Sequence, residues 1–153
     1  VRDVVRTWWP ARLSRLDDRG SGAGAVIIFA LLFLSLAAFV IDGGLSISKR
    51  ERAADIAEQA ARYAAQDIDK NALYENEGGS APIKYQDCDA RVKAYAHEMG
   101  MSAADIGATH CVTADADHVE VEVQLTYQPV FTGLFYGGDV VVHGRSAARN
   151  EVG

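Results

Sequence analysis

Residues 25–41 read AVIIFALLFLSLAAFVI, seventeen residues in which Ser35 carries the one polar side chain. With the small residues Gly22 to Gly24 in front, the stretch reaches about 20 residues, enough to cross a bilayer core of ~30 Å as a helix. Three segments follow from that reading: an Arg-rich cytoplasmic leader over 1–24, a transmembrane helix over 25–41 and an extracytoplasmic α+β domain over 42–153. Membrane lipid is therefore the first expected partner.

The charges on either side differ in sign. The leader holds Arg2, Arg6, Arg12, Arg15 and Arg19 against Asp3, Asp17 and Asp18, while ten Lys or Arg face eighteen Asp or Glu in residues 42–153. After the apolar run the first cations are Lys49, Arg50 and Arg52, eight or more residues further on. That excess of Arg before the run predicts a single pass with the N-terminus inside and the large domain outside. An acidic domain with no basic stripe would repel phosphates, so nucleic acid is excluded as a partner.

Within the leader, Val1, Val4, Val5, Trp8, Trp9, Leu13 and Leu16 fall on a helical stripe beside the Arg residues, the pattern of a segment lying on an anionic leaflet with Trp8 and Trp9 as interfacial anchors. Pro10 would kink it. A disordered Arg-rich leader that only sets topology is the other reading.

After Ile41, Asp42-Gly43-Gly44 offers an end or a bend to the helix, yet the helical signal resumes over 45–69, with Leu45, Ile56, Ala57, Ala60, Tyr63 and Ala64 on one face. If the halves join, Ala25 to Asp69 forms a helix of about 45 residues, roughly 67 Å long. Residues 70–85 read as a loop, and a second helix starts near Asp87 as its cap, with Cys88, Val92, Tyr95 and Met99 on a stripe and Gly100 as the stop. Ser102-Ala-Ala-Asp105 resembles a capping box.

Val119 to Tyr127 alternates strictly, placing Val119, Val121, Val123, Leu125 and Tyr127 inward and leaving an acidic outer face. Gly107 to Thr113 is expected as the preceding hairpin strand and Asp139 to Ala148 as a third, giving a roughly three-stranded antiparallel sheet. The connection from Gln128 to Gly138 is apolar for a loop; Phe131, Leu134, Phe135 and Tyr136 either close the core or form a contact patch. Cys88 and Cys111 both fall in the outer domain, where an oxidising compartment favours a bridge worth about 3 kcal/mol for a loop of this length; two buried free thiols are the alternative.

Catalytic chemistry finds little support. His97, His110, His118 and His143 have no metal-ligand spacing, and no nucleotide loop or nucleophile elbow occurs. Asp115, Asp117, His118 and His110 could meet a cation across a turn, although turn residues give the same composition. No cofactor, metal or enzymatic activity is expected. A secretory signal cut after Ala37 is a further reading of the apolar run, opposed by Phe39-Val40-Ile41 and the helix-forming sequence beyond.

Taken together, Asp18-Arg19-Gly20-Ser21, the apolar run, Val40-Ile41-Asp42-Gly43-Gly44 and Lys49-Arg50-Glu51-Arg52-Ala53-Ala54-Asp55-Ile56-Ala57 resemble the N-terminal region of TadE/TadG-like Flp (tight adherence) pilus-assembly proteins, in particular actinobacterial ones. Val119 to Tyr127 and Val140 to Ala148 are a weaker echo of the family's closing strands. The resemblance implies a pseudopilin-like component in the bacterial cytoplasmic membrane, in contact with other Tad machinery proteins, able to self-associate and to enter a surface pilus. It also implies leader cleavage by an aspartic peptidase after Gly20, leaving Ser21 first. Prepilin-like members carry Glu about five residues after the cut; Ala25 stands there, and uncleaved anchoring is the other outcome. A minor pilin or assembly component acting by helix packing is the expected function. An envelope-anchored binding module that recognises a ligand through the Phe131 to Tyr136 loop is the alternative.

Overall fold

The computed structural model describes residues 21–75 and 81–150. Its elements run α1 (Ser21–Ala65), α2 (Lys70–Glu75), α3 (Cys88–Glu98), α4 (Ala103–Ala108), β1 (His110–Ala114), β2 (His118–Tyr127), α5 (Thr132–Tyr136) and β3 (Val140–Arg149). The class is α+β, as the sequence predicts. The chain divides into two compact units between Ala37 and Ala38.

In the first unit the described residues are all helical, and the large apolar side chains from Val26 to Leu36 are exposed. An 18-residue window of α1 has a mean hydropathy of 2.9 and none of it is buried, which makes α1 the one helix among the described residues long and apolar enough to span a membrane. Ser35 donates its hydroxyl to the carbonyl of Leu31 at 2.8 Å. Its polar group is thus satisfied within the helix, as a lipid surrounding requires.

The second unit holds the core. Gly43 and Gly44 neither end nor interrupt α1, which stays helical through both and stops at Ala65, four residues before the expected Asp69. Ala53, Ile56, Ala57, Ala60, Ala61, Ala64 and Ala65 are buried, a spacing of three and four that forms one helix face. Small side chains there bring the helix close to the sheet. The sheet answers with Val119, Val121, Val123, Leu125 and Tyr127 of β2, all buried as the alternation demands, and with Val142 of β3. A fully buried Val or Leu contributes about 1.5–3 kcal/mol, so this seam dominates the stability of the unit.

Helix and strand approach closely at Gly144. A Cβ built there would overlap the carbonyl carbon of Ala53 and the amide nitrogen of Ala54, so only glycine lets the strand touch the helix backbone at this point.

Strand order is β1-β2-β3, antiparallel throughout. β2 and β3 pair without interruption from His118↔Arg149 to Tyr127↔Val140, whereas the β1–β2 register shifts between Cys111 and Thr113. The expected first strand at 107–113 is displaced: Gly107 and Ala108 complete α4 and Thr109 caps it, so pairing begins at His110. The outer face of β2 is half-buried, with Glu122 ion-paired to Arg145.

Three further differences from the sequence reading have local causes. Lys70 to Glu75 is helical instead of loop, because the Asp69 carboxylate accepts the amides of Asn71 (3.0 Å) and Ala72 (3.2 Å) and starts a turn. Asp87 occupies the N-cap position of α3 but its carboxylate pairs with Lys84 and does not cap. The buried stripe of α3 is Cys88, Val92 and Ala96; Tyr95 is half-buried, donating to Gln59 at 2.7 Å, and Met99 is exposed. Gly100 ends this helix in the left-handed region (φ 68°). Arg91 fixes α3 to α1: it lies 4.3 Å over the Tyr63 ring, donates to the Tyr63 carbonyl at 3.2 Å and pairs with Asp67 at 3.3 Å.

Candidate functional site

The loop between β2 and β3 is organised by a residue far away in sequence. Asp42 accepts hydrogen bonds from the backbone amides of Val130 (2.8 Å), Phe131 (3.1 Å) and Thr132 (2.7 Å) and from the Thr132 hydroxyl (2.9 Å). One carboxylate thus meets four donors and takes up the amides leading into α5, that of its first residue Thr132 included, where the N-cap residue Phe131 makes no side-chain cap. The amide of Thr132 does most to hold the Asp42 carboxyl below its ordinary value; desolvation opposes the shift, and Phe131, the Thr132 hydroxyl and Val130 add to it.

What the clamp presents is apolar. Leu134 is 78% and Phe135 83% exposed, Val130 is exposed, and Phe131 is half-buried. Tyr136 closes α5. Of the two readings of this loop, closing the core is contradicted for Leu134 and Phe135, whose side chains lie outside it. The sequence reading missed Asp42, taking it as a charge at the end of the span. The available signal was limited to a loop, residues 128–138, with no Asp, Asn or Ser to cap a turn of its own; nothing in the sequence paired it with Asp42.

A second polar centre lies at α4. The Ser102 hydroxyl accepts the Asp105 amide (3.1 Å), the first half of a capping box, while the Asp105 carboxylate accepts the Ser102 hydroxyl (2.8 Å) in place of the Ser102 amide that would complete the box. The buried Asp105 also accepts the Thr126 hydroxyl of β2 at 2.6 Å. Burial pushes its carboxyl up, but the hydrogen bonds from Thr126 and Ser102 outweigh it and leave the value lowered. That bond to Thr126 ties α4 to the sheet and was not legible from the box alone.

Cys88 and Cys111 are joined in a disulfide with a Cα–Cα separation of 6.3 Å, linking α3 to β1. The Cys111 amide beside it donates to Asp89 at 2.7 Å.

The possible cation ligands do not assemble. Asp115 accepts the amides of Asp117 (2.9 Å) and His118 (2.7 Å) as a turn residue, and the register places His110 opposite Glu122, at the other end of the hairpin. Among the described residues no group of three or more His, Cys, Asp or Glu could hold a metal ion. Trp8, Trp9 and Gly20 lie outside the described residues, and Ser21 is the first residue of α1.

Comparison with known proteins gives one result that bears on these features. Residues 20–67 match the family model described as Flp pilus-assembly TadE/G-like, a segment that takes in all of α1 and none of the sheet. Searches of the curated proteins and of the solved structures returned no match.

Proposed function

We propose that this chain, whose residues 20–67 carry the Flp pilus-assembly TadE/G-like segment, is a membrane-anchored minor pilin or assembly component of an Flp/Tad-type apparatus. The observation that carries the reading is the coincidence of that segment with a helix apolar and exposed in its first half and packed by an Ala face onto a sheet in its second. Exposed apolar helix surface can be shared with lipid or with neighbouring helices, and the small residues Gly22, Gly24, Ala30, Ala37 and Ala38 permit close approach. The N-terminus lies inside, on the Arg excess before the span, and the disulfide-bridged domain lies outside. The work is done by protein–protein contact, not by catalysis.

Fractionation of cells that make the pilus tests this. Recovery with sheared filaments, or dependence of piliation on the protein, supports the proposal. Retention in membranes of cells lacking every pilus partner, with piliation unaffected by deletion, would favour the envelope-anchored binding module, whose basis is the exposed Leu134 and Phe135.

A further inference from the structure

We infer that the β2–β3 loop is a second membrane contact, with Leu134 and Phe135 seated in the outer interfacial layer of the bilayer that α1 crosses. The inference rests on the membrane-anchored reading of α1 and extends it to the folded domain.

The second unit itself contains the last residues of the apolar run. Phe39, Val40 and Ile41 are exposed helical residues of that unit, and Asp42 follows directly, one residue and about 1.5 Å of helix rise beyond the run. A carboxylate at that point marks where the helix leaves hydrocarbon, since an ionised group deeper in would be costly. The same carboxylate holds Val130, Phe131 and Thr132 by their amides, at 2.7 to 3.1 Å. The loop is therefore fixed one side chain and one hydrogen bond away from the exit point. The polar layer there is roughly 5–7 Å deep, comparable to the reach of a Leu or Phe side chain.

Its composition fits that place. Residues 128–138, QPVFTGLFYGG, contain no charged side chain, and among the described side chains of the loop the most exposed large ones are the Leu–Phe pair of α5. Asp42 takes up the amides of Val130, Phe131 and Thr132, and the Leu134 amide is given to the Phe131 carbonyl, which lowers the cost of placing this segment in a water-poor layer. With no cation in the loop, the contact is hydrophobic and does not depend on anionic lipid or on salt.

The test uses the full chain in phosphatidylcholine vesicles containing lipid spin-labelled either near the headgroup or deep in the acyl chain. The native cysteines are bridged, so single substitutions Leu134→Cys, Phe135→Cys, Val40→Cys, Ile28→Cys and Glu98→Cys can each carry an environment-sensitive fluorophore. Headgroup-labelled lipid is expected to quench positions 134 and 135 as strongly as position 40, to spare position 98, and to do so equally at low and high salt. Adding Asp42→Ala is expected to reduce the quenching at 135 but not at 40. Positions 134 and 135 unquenched while 28 is quenched by the deep label would overturn the proposal and leave the anchoring intact. Position 28 unquenched would overturn the anchoring reading itself. A blue-shifted signal at 135 that rises with protein concentration and ignores labelled lipid would assign the loop to a second copy, and a requirement for anionic lipid would equally overturn the inference.

Discussion

The α-carbon of Gly144 faces the backbone of Ala53 with no room between them for a methyl group. Gly144→Ala should therefore force the strand off the helix and lower stability by about 1–3 kcal/mol, the usual cost of overpacking. Gly43→Ala, at a helical position with nothing within 4 Å of the added carbon, should act in the opposite sense and gain roughly 0.5–1 kcal/mol. Denaturant unfolding of the two variants in the same detergent would show the split; similar midpoints would mean that helix and strand are less closely packed than described.

Replacing both Cys88 and Cys111 by Ser should cost about 3 kcal/mol, because the bridge closes a loop of sequence separation 23 in the unfolded chain. Reduction of the wild type should give the same loss, seen as a lower unfolding midpoint with reductant. A midpoint indifferent to reductant would show that the link adds no stability.

Asp42→Ala should expose the amides of Val130, Phe131 and Thr132 to faster hydrogen exchange while leaving those of β2 protected. The pH dependence has a definite sign. A carboxyl whose folded pKa lies below its ordinary 3.8 adds stability that is complete above that ordinary value and is lost as pH falls through the folded value. The difference in unfolding midpoint between wild type and Asp42→Ala should hold steady from about pH 7 to about pH 5 and close in more acidic solution. A difference that grew on acidification would contradict the clamp.

Removing the buried Asp105 leaves the half-buried Thr126 hydroxyl without its acceptor, while the Ser102 hydroxyl is exposed and can turn to water. Asp105→Ala is expected to destabilise by about 1–3 kcal/mol, and Asp105→Asn by less, since its amide oxygen still accepts one of the two. Equilibrium unfolding of both variants checks the order; equal losses would mean that charge, not acceptor count, matters here.

How far the sequence could be read depended on the range of the interaction. Period and spacing are local, so the alternation from Val119 to Tyr127, the Ala face of α1 and the Ser102–Asp105 box were all legible. The grip of Asp42 on Thr132 joins residues 90 apart and leaves no periodic trace. Gly144 offered a hint, as an isolated glycine in a strand often marks close backbone approach, but nothing in the sequence named Ala53 as the neighbour. The short helices α2 and α5 were hidden for a related reason: each begins on amides taken by an Asp, Asp69 beside it in one case and Asp42 far away in the other.

The link between α3 and β1 also decides how the sheet ends. β1 is an edge, and an edge with free amides invites another chain to add a strand. Here the amide of Cys111 is already given to Asp89, the register breaks one residue later, and the disulfide holds the strand against a helix. The opposite border, β3, carries the exposed cations Arg145 and Arg149. Both margins are thereby made poor templates for cross-strand aggregation, so copies of this domain brought close together can crowd without their sheets fusing.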